Sequence, residues 1–318
     1  MSDTFKKPSS LTIKLLSIST AIIAIVLTIQ LFTYSTTTTT SPKKTMESYG
    51  YQIVSAPLPD SLSFATEKVP LHNLDVAENF ERELLINTYW QSQTLLFIKR
   101  ATRYFPVIEP ILKAQGVPDD FKYLALIESS FMPRTVSPVG ATGIWQFMKD
   151  TAKENGLEVT QEVDERYHIE KATEAACRYL KNAYSKLGSW TLAAASYNGG
   201  ISGISKQQVI QKNTKYYDLL WGDETGRYVY RILAAKVILS NPEKYGFKVE
   251  PHEKYQPILF TIITISGAVS DFADFASVHG TTYKDLKNLN PWLRESSLLN
   301  LKNTVYQIKI PLRNTDKL

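Results

Sequence analysis

The sequence predicts a mainly α-helical protein with an N-terminal membrane-spanning helix, a large helical domain and a small β-α-α-β module at the C-terminus. Three observations carry that expectation. An uncharged apolar run lies near the start, apolar residues recur at helical spacing through the middle, and a β-branched run begins after Pro257.

With 318 residues, 43% hydrophobic and 21% charged, the chain can build one sizeable core and a smaller module. Lys and Arg exceed Asp and Glu by 36 to 31, and this excess is scattered along the chain. A nucleic-acid binder gathers its basic residues into a stripe, so no nucleic-acid partner is expected. Cys177 is the single cysteine, which excludes an intrachain disulfide and any CxxC motif. It sits in a helical-looking run with Ala175, Ala176 and Leu180 and reads as a buried, inert thiol. His72, His168, His252 and His279 are dispersed without a ligand spacing, so neither a metal site nor a cofactor is expected.

The apolar run covers residues 15–34, long enough to cross a bilayer as a helix. Lys6, Lys7 and Lys14 precede it, which favours a cytoplasmic location for residues 1–14. It is longer than a usual signal-peptide core and shows no evident small-residue cleavage site, so an uncleaved anchor is the expectation and a cleaved signal peptide the alternative. The Thr36 to Thr40 run followed by Pro42, Pro57 and Pro59 reads as a tether over residues 35–70.

A helical domain is expected over residues 71–250. Phe80, Leu84 and Leu85, then Leu95, Leu96 and Phe97, recur near the 3.6-residue period. Pro118 suits a first helical turn, and Asp119 and Asp120 suit the positive end of a helix dipole. Further on, Phe121, Leu124, Ala125 and Glu128 fall at i, i+3, i+4 and i+7, which puts a carboxylate on an apolar face. The C-terminal module, residues 257–312, reads as a strand over 260–265, helices over 270–279 and 282–288, and a strand over 304–310.

A carboxylate on an apolar face loses hydration when charged, so its pKa rises and it remains a proton donor near neutral pH. Glycosidic oxygens leave poorly until protonated, and a general acid typically contributes about 10²- to 10⁴-fold in rate. Glu128 is the candidate catalytic acid.

Around it stand Glu128-Ser-Ser-Phe131, then Ser137-Pro-Val-Gly-Ala141-Thr-Gly143-Ile-Trp-Gln146-Phe-Met148, then Ser196-Tyr197-Asn198-Gly199, then Glu224-Thr225-Gly226-Arg227-Tyr228-Val229. In that order these blocks resemble the soluble lytic transglycosylase family from about Pro106 to Val237. The string Val163-Asp-Glu-Arg166 followed by Ala172-Thr173 resembles its membrane-bound murein transglycosylase D subgroup. Ser196 stands where the family often has alanine, and Trp145 where Leu or Met is frequent.

The resemblance implies a lysozyme-like helical catalytic domain with a saccharide groove. It also implies that Glu128 is the sole acid/base, acting on peptidoglycan glycan strands to leave a 1,6-anhydromuramoyl end. Ser137, Gln146, Met148, Tyr197, Asn198, Glu224 and Tyr228 are the implied groove residues, with Tyr197 placed to orient an N-acetyl group or Glu128. The same resemblance implies a catalytic domain in the bacterial periplasm, held at the inner membrane by the N-terminal span. Local readings stand beside these. Gly140 and Gly143 suit tight turns, Trp145, Phe147 and Met148 suit core packing, and Glu224 suits a surface pair with Arg227 or Arg231.

Phe272, Phe275, Ala276, the Asn288-Leu-Asn290-Pro291 turn and the ending from Tyr306 to Pro311 resemble a LysM repeat, a fold that binds N-acetylglucosamine polymers. Ser266-Gly267-Ala268-Val269 replaces the usual Gly-Asp-Thr opening, so the expectation is of the fold rather than of sugar binding. Two rival functions remain. A muramidase on the same fold would need a second carboxylate to activate water, with Asp150 and Glu154 open as candidates. A non-catalytic wall-binding protein would keep the fold without using Glu128.

Overall fold

The structure, a computed structural model, describes residues 53–312 and, ahead of them, residues 24–25 and 28–30. The expected span over 15–34 therefore falls mostly outside the described residues. Among the described residues no helix is long and apolar enough to cross a membrane.

The helical domain opens with a hairpin of two short strands, β1 (Ser63–Phe64) and β2 (Glu67–Lys68), paired antiparallel. Ala65 and Thr66 both take positive φ in its turn. Composition assigned this segment to the tether, but Ala56, Phe64, Ala65 and Val69 are buried in the main core. The tether reading therefore runs too far. What holds the hairpin is long-range and invisible to local composition: the Glu67 carboxylate accepts from the backbone N–H groups of Trp190 (2.6 Å) and Thr191 (2.9 Å), at a distant helix N-terminus. A carboxylate there satisfies otherwise unpaired N–H groups and complements the helix dipole.

Eight helices follow in this domain: α1 (Leu74–Tyr89), α2 (Gln91–Ala114), α3 (Phe121–Ser129), α4 (Lys149–Glu154), α5 (Ile169–Leu187), α6 (Trp190–Gly199), α7 (Ile201–Gln211) and α8 (Asp223–Ser240). The α3 stripe is realised, with Phe121, Leu124 and Ala125 fully buried. Its start differs from the expectation. Residues 118–120 form a turn ahead of the helix, and the Asp120 carboxylate instead accepts from Ala65 N and Lys236 Nζ, both at 2.7 Å. Around α3 the core is closed by α5, α6 and α8, whose Ala172, Ala176, Ala193, Ala194, Ala234 and Ala235 let the helices approach closely.

The C-terminal module has β3 (Phe260–Ile265), α9 (Phe272–Val278), α10 (Tyr283–Leu289) and β4 (Tyr306–Pro311). The strands pair antiparallel, from Phe260 opposite Pro311 to Ile265 opposite Tyr306. Asp271 and Thr282 cap the two helices through their side-chain oxygens. Asn290 is fully buried, and its amide is satisfied by Leu286 O, Lys309 O and Lys309 N, tying the turn after α10 to β4. The module's core is not its own. Val163 and Tyr167, from the loop before α5, are buried in the same cluster as Phe272, Leu286, Trp292 and Ile308.

Candidate active site

Glu128 occupies the penultimate position of α3, half-buried. The helix ends because Ser130 turns into the left-handed region (φ 54°), followed by Phe131 (φ 53°). Two α2 side chains hold that turn: Gln93 donates to the Ser130 hydroxyl, and Arg100 Nη1 donates to the Ser130 carbonyl at 2.9 Å. The carboxylate end of α3 is thereby fixed against a long helix.

The hydroxyl of Tyr228, on α8, donates to Glu128 Oε1. Burial pushes the Glu128 carboxyl up to about 7. The Tyr228 hydrogen bond and Arg231 pull it back, and Glu224 adds to the rise. Tyr228 is itself raised well above the usual phenol range by burial and by the neighbouring Glu128 charge. A carboxyl near 7 exists in both forms at neutral pH, as a group that gives a proton and later takes one requires.

Tyr197, on α6, lies in the same cluster, and its phenol is also raised by burial and by the charge of Glu128. Its hydroxyl donates to the Trp145 carbonyl at 2.8 Å. Its ring packs against Trp145, Phe147 and Tyr179 with centroids 6.3, 5.9 and 5.2 Å away. Tyr228, and not Tyr197, is the tyrosine hydrogen-bonded to the glutamate.

The loop from 132 to 148 carries Ser137, Gln146 and Met148. Ser137 Oγ accepts from Ala141 N at 3.0 Å, closing a turn with Gly140 N on Ser137 O. Gln146 takes φ 48°, and its side-chain amide donates to Thr135 O and Gly143 O at 3.2 and 2.7 Å. Gly143 (φ 81°) lies so close to the 165–167 turn that a Cβ there would sit 1.9 Å from Arg166 O. Arg166 clamps the loop, donating from Nη1 to Gly140 O and Phe147 O at 3.1 and 3.2 Å while paired with Asp164 at 2.7 Å. Trp145 and Phe147 are buried core residues, whereas Met148 is 46% exposed.

Asn198 is exposed, and its Oδ1 accepts from Thr225 Oγ1 at 2.9 Å. Glu224 is largely exposed and pairs with Arg231, Nη1 to Oε1, at 2.7 Å. Arg227 turns the other way, to Glu83 at 2.7 Å. Asp150 and Glu154 are exposed on α4. Among the described residues no group of His, Cys, Asp or Glu is arranged to hold a metal ion.

Sequence reading passed over Glu83. It is 1% exposed on α1, with Arg227, Arg82 and Arg231 nitrogens at 2.7, 3.3 and 3.9 Å. A signal existed: Val76, Phe80, Glu83 and Leu84 share one helical stripe, the same pattern that singled out Glu128.

Residues 105–220 match the family model described as the Transglycosylase SLT domain, and residues 261–314 the Soluble lytic transglycosylase C-terminal LysM-like domain. The chain is 27% identical over 248 residues to membrane-bound lytic murein transglycosylase D of Escherichia coli, covering 76% of this chain and 53% of that protein. Membrane-bound lytic murein transglycosylase F of Salmonella typhi is 27% identical over 173 residues, 51% of this chain and 34% of the other. The peptidoglycan transglycosylase gp16 of Escherichia phage T7 is 35% identical over 109 residues, 33% of this chain and 8% of the other. A solved lytic transglycosylase Slt from Pseudomonas aeruginosa, an inactive mutant, overlays with a TM-score of 0.34 at 25% identity, covering 50% of this chain and 26% of that one. The chain thus spans about half the length of the first of these relatives. It carries a transglycosylase SLT domain, followed by a LysM-like domain of the kind found at the C-terminus of soluble lytic transglycosylases.

Proposed function

We propose that this chain is a peptidoglycan lytic transglycosylase that cleaves the β-1,4 bond between N-acetylmuramic acid and N-acetylglucosamine with Glu128 as acid and base. The observation that carries the proposal is the Glu128 carboxyl, brought to about 7 by burial and held by the Tyr228 hydroxyl at the end of α3. The SLT match and the printed names of the relatives support the same substrate.

In this reading protonated Glu128 gives its proton to the departing glycosidic oxygen as the C1–O bond breaks. The muramoyl N-acetyl oxygen stabilises the positive charge left at C1. Glu128, now a carboxylate stabilised by Tyr228, takes the proton of the muramoyl 6-hydroxyl as that oxygen closes on C1. The C1–O bond to the departing sugar is exchanged for an internal C1–O6 acetal bond, Glu128 ends protonated, and no water is consumed. A hydrolase would instead need a second carboxylate free to activate water. Near Glu128 the carboxylate that shifts its titration is Glu224, whose oxygens are committed to Arg231.

Tyr197, Gln146 and Ser137 are proposed to shape the saccharide groove, with Asn198 and Met148 at its exposed edge. Glu224 acts on Glu128 through its charge. Anchoring at the inner membrane with the SLT domain in the periplasm is proposed from the apolar run over 15–34 and from the membrane-bound relatives.

The test is to incubate purified sacculi with the chain and with Glu128→Gln, then analyse the released muropeptides by mass spectrometry. Products one water lighter than reducing-end muropeptides, released by the parent alone, are expected. Hydrated products would make the protein a muramidase, and no release from either would favour the wall-binding reading.

A further inference from the structure

We propose that the LysM-like domain is a working part of the candidate groove, holding the loop from 132 to 148 in position directly through Arg134 and indirectly through Asp164 and Arg166. The inference rests on the proposed activity for its kinetic readout, and on three structural observations for its substance.

The two domains share a core. Val163 and Tyr167 belong to the SLT side, yet they are buried among Phe272, Trp292, Leu293 and Tyr306 of the LysM-like domain. Removing that domain would expose both, so the residues between them lose their packed support.

Backbone hydrogen bonds lock the register of this seam. Asp164 N donates to Trp292 O at 2.9 Å, Arg294 N donates to Glu162 O at 2.8 Å, and Val163 bridges Leu293. The Arg294 guanidinium lies 4.1 Å over the Tyr167 ring, and Lys309 of β4 forms an ion pair with Glu170. Backbone pairs of this kind tolerate little sliding, because a displaced strand leaves buried N–H and C=O groups without partners.

The residues so held are the ones that hold the loop. The Asp164 N–H donates to Trp292 O of the LysM-like domain, and the Asp164 carboxylate orients Arg166 by accepting from Nη2 at 2.7 Å and Nε at 3.0 Å. Arg166 then clamps Gly140 O and Phe147 O, which flank Gln146 and follow Ser137. A second, shorter connection is direct: Arg134, at the start of the loop, donates to Lys287 O near the C-terminal end of α10 at 2.6 Å. A cation there satisfies an end carbonyl and complements the helix dipole. Arg134, Asp164 and Arg166 act through the loop and are positioning residues.

The experiment compares the full chain with Arg134→Ala, Arg134→Lys and Leu293→Asp. It measures kcat and KM on soluble glycan strands, the thermal midpoint, and amide hydrogen exchange over 135–148. Arg134 is exposed, so its alanine variant keeps the parental thermal midpoint. The expected result is a kcat about tenfold lower with KM little changed, a loss consistent with small misplacement of reacting groups. Arg134→Lys, which keeps one donor, restores most of the rate, and Leu293→Asp lowers kcat by about 100-fold. Exchange over 135–148 rises in the alanine and aspartate variants whether or not the parent is active. Unchanged exchange in Arg134→Ala overturns the proposal, and so does parental kcat in that variant with loss only of sacculus retention. A parent that releases nothing but shows the exchange response overturns the proposed activity and leaves this coupling standing.

Discussion

The hydroxyl of Tyr228 on α8 donates to Oε1 of Glu128 at the end of α3, joining residues 100 positions apart. Burial favours the neutral carboxyl and this hydrogen bond favours the charged one, and their balance leaves Glu128 near 7.

Tyr228→Phe removes the donor that stabilises the carboxylate. The Glu128 pKa then rises further, and the alkaline limb of the pH–rate profile moves to higher pH. At neutral pH kcat falls by about tenfold, the scale of one lost charge-assisted hydrogen bond. An alkaline limb that stays in place or moves down would show that the phenol does not act on this carboxyl.

The raised pKa of Glu128 also makes stability depend on pH. The folded chain holds a proton there up to about 7 that the unfolded chain releases near 4.5. Stability from this group is therefore full below 4.5 and declines as pH rises to about 7, by an amount on the order of 3 kcal/mol. Glu128→Gln carries no such penalty, so it should match the parent near pH 4.5 and be more stable at pH 8 by about 1–3 kcal/mol. Urea unfolding at the two pH values measures the gap, and an equal gap at both would refute the assignment.

Glu83 and Glu128 occupy equivalent places on apolar stripes, but Glu83 is met by arginines. Glu83→Gln should cost about 1–3 kcal/mol by denaturant unfolding, below the usual cost of breaking a fully buried pair. The reduction arises because the side chains of Arg227 and Arg231 are 33% and 29% exposed and can rehydrate. Its effect on activity should be secondary, through the α1 contact that steadies α8.

Two glycines in the loop separate strain from collision. Gly140→Ala meets nothing within 4 Å, so only its φ of 87° matters and the cost should be about 1–2 kcal/mol. Gly143→Ala drives a Cβ to 1.9 Å from Arg166 O, so the loop must move off its clamp. It should cost more than about 3 kcal/mol and abolish activity. Thermal midpoints and kcat for the pair check the contrast.

Cys177 is fully buried, and burial pushes its thiol up to about 12. It should resist alkylation at pH 8 in the native chain and react fully in denaturant.

Much of this molecule follows from the sequence alone. The apolar stripe of α3, the placement of Glu128 on it, and the β-α-α-β order of the last module are local patterns, set by side-chain period within a window of one element. The order of the motif blocks is likewise a property of the chain, and it pointed to the SLT domain without any geometry.

Other features were settled only by contacts between distant segments. A proline-rich stretch becomes part of the core because Phe64 finds Phe121 and Glu67 finds the N-terminus of α6. Of two glutamates with the same local pattern, one is met by the Tyr228 hydroxyl and the other by arginines. Of two motif tyrosines, Tyr228 bonds the carboxyl and Tyr197 bonds a backbone carbonyl. Val163 and Tyr167 look like loop residues but complete the core of another domain. Periodicity says which face of an element is apolar. What covers that face, and hence whether a carboxyl on it is neutral, paired or reactive, depends on which other segment folds against it.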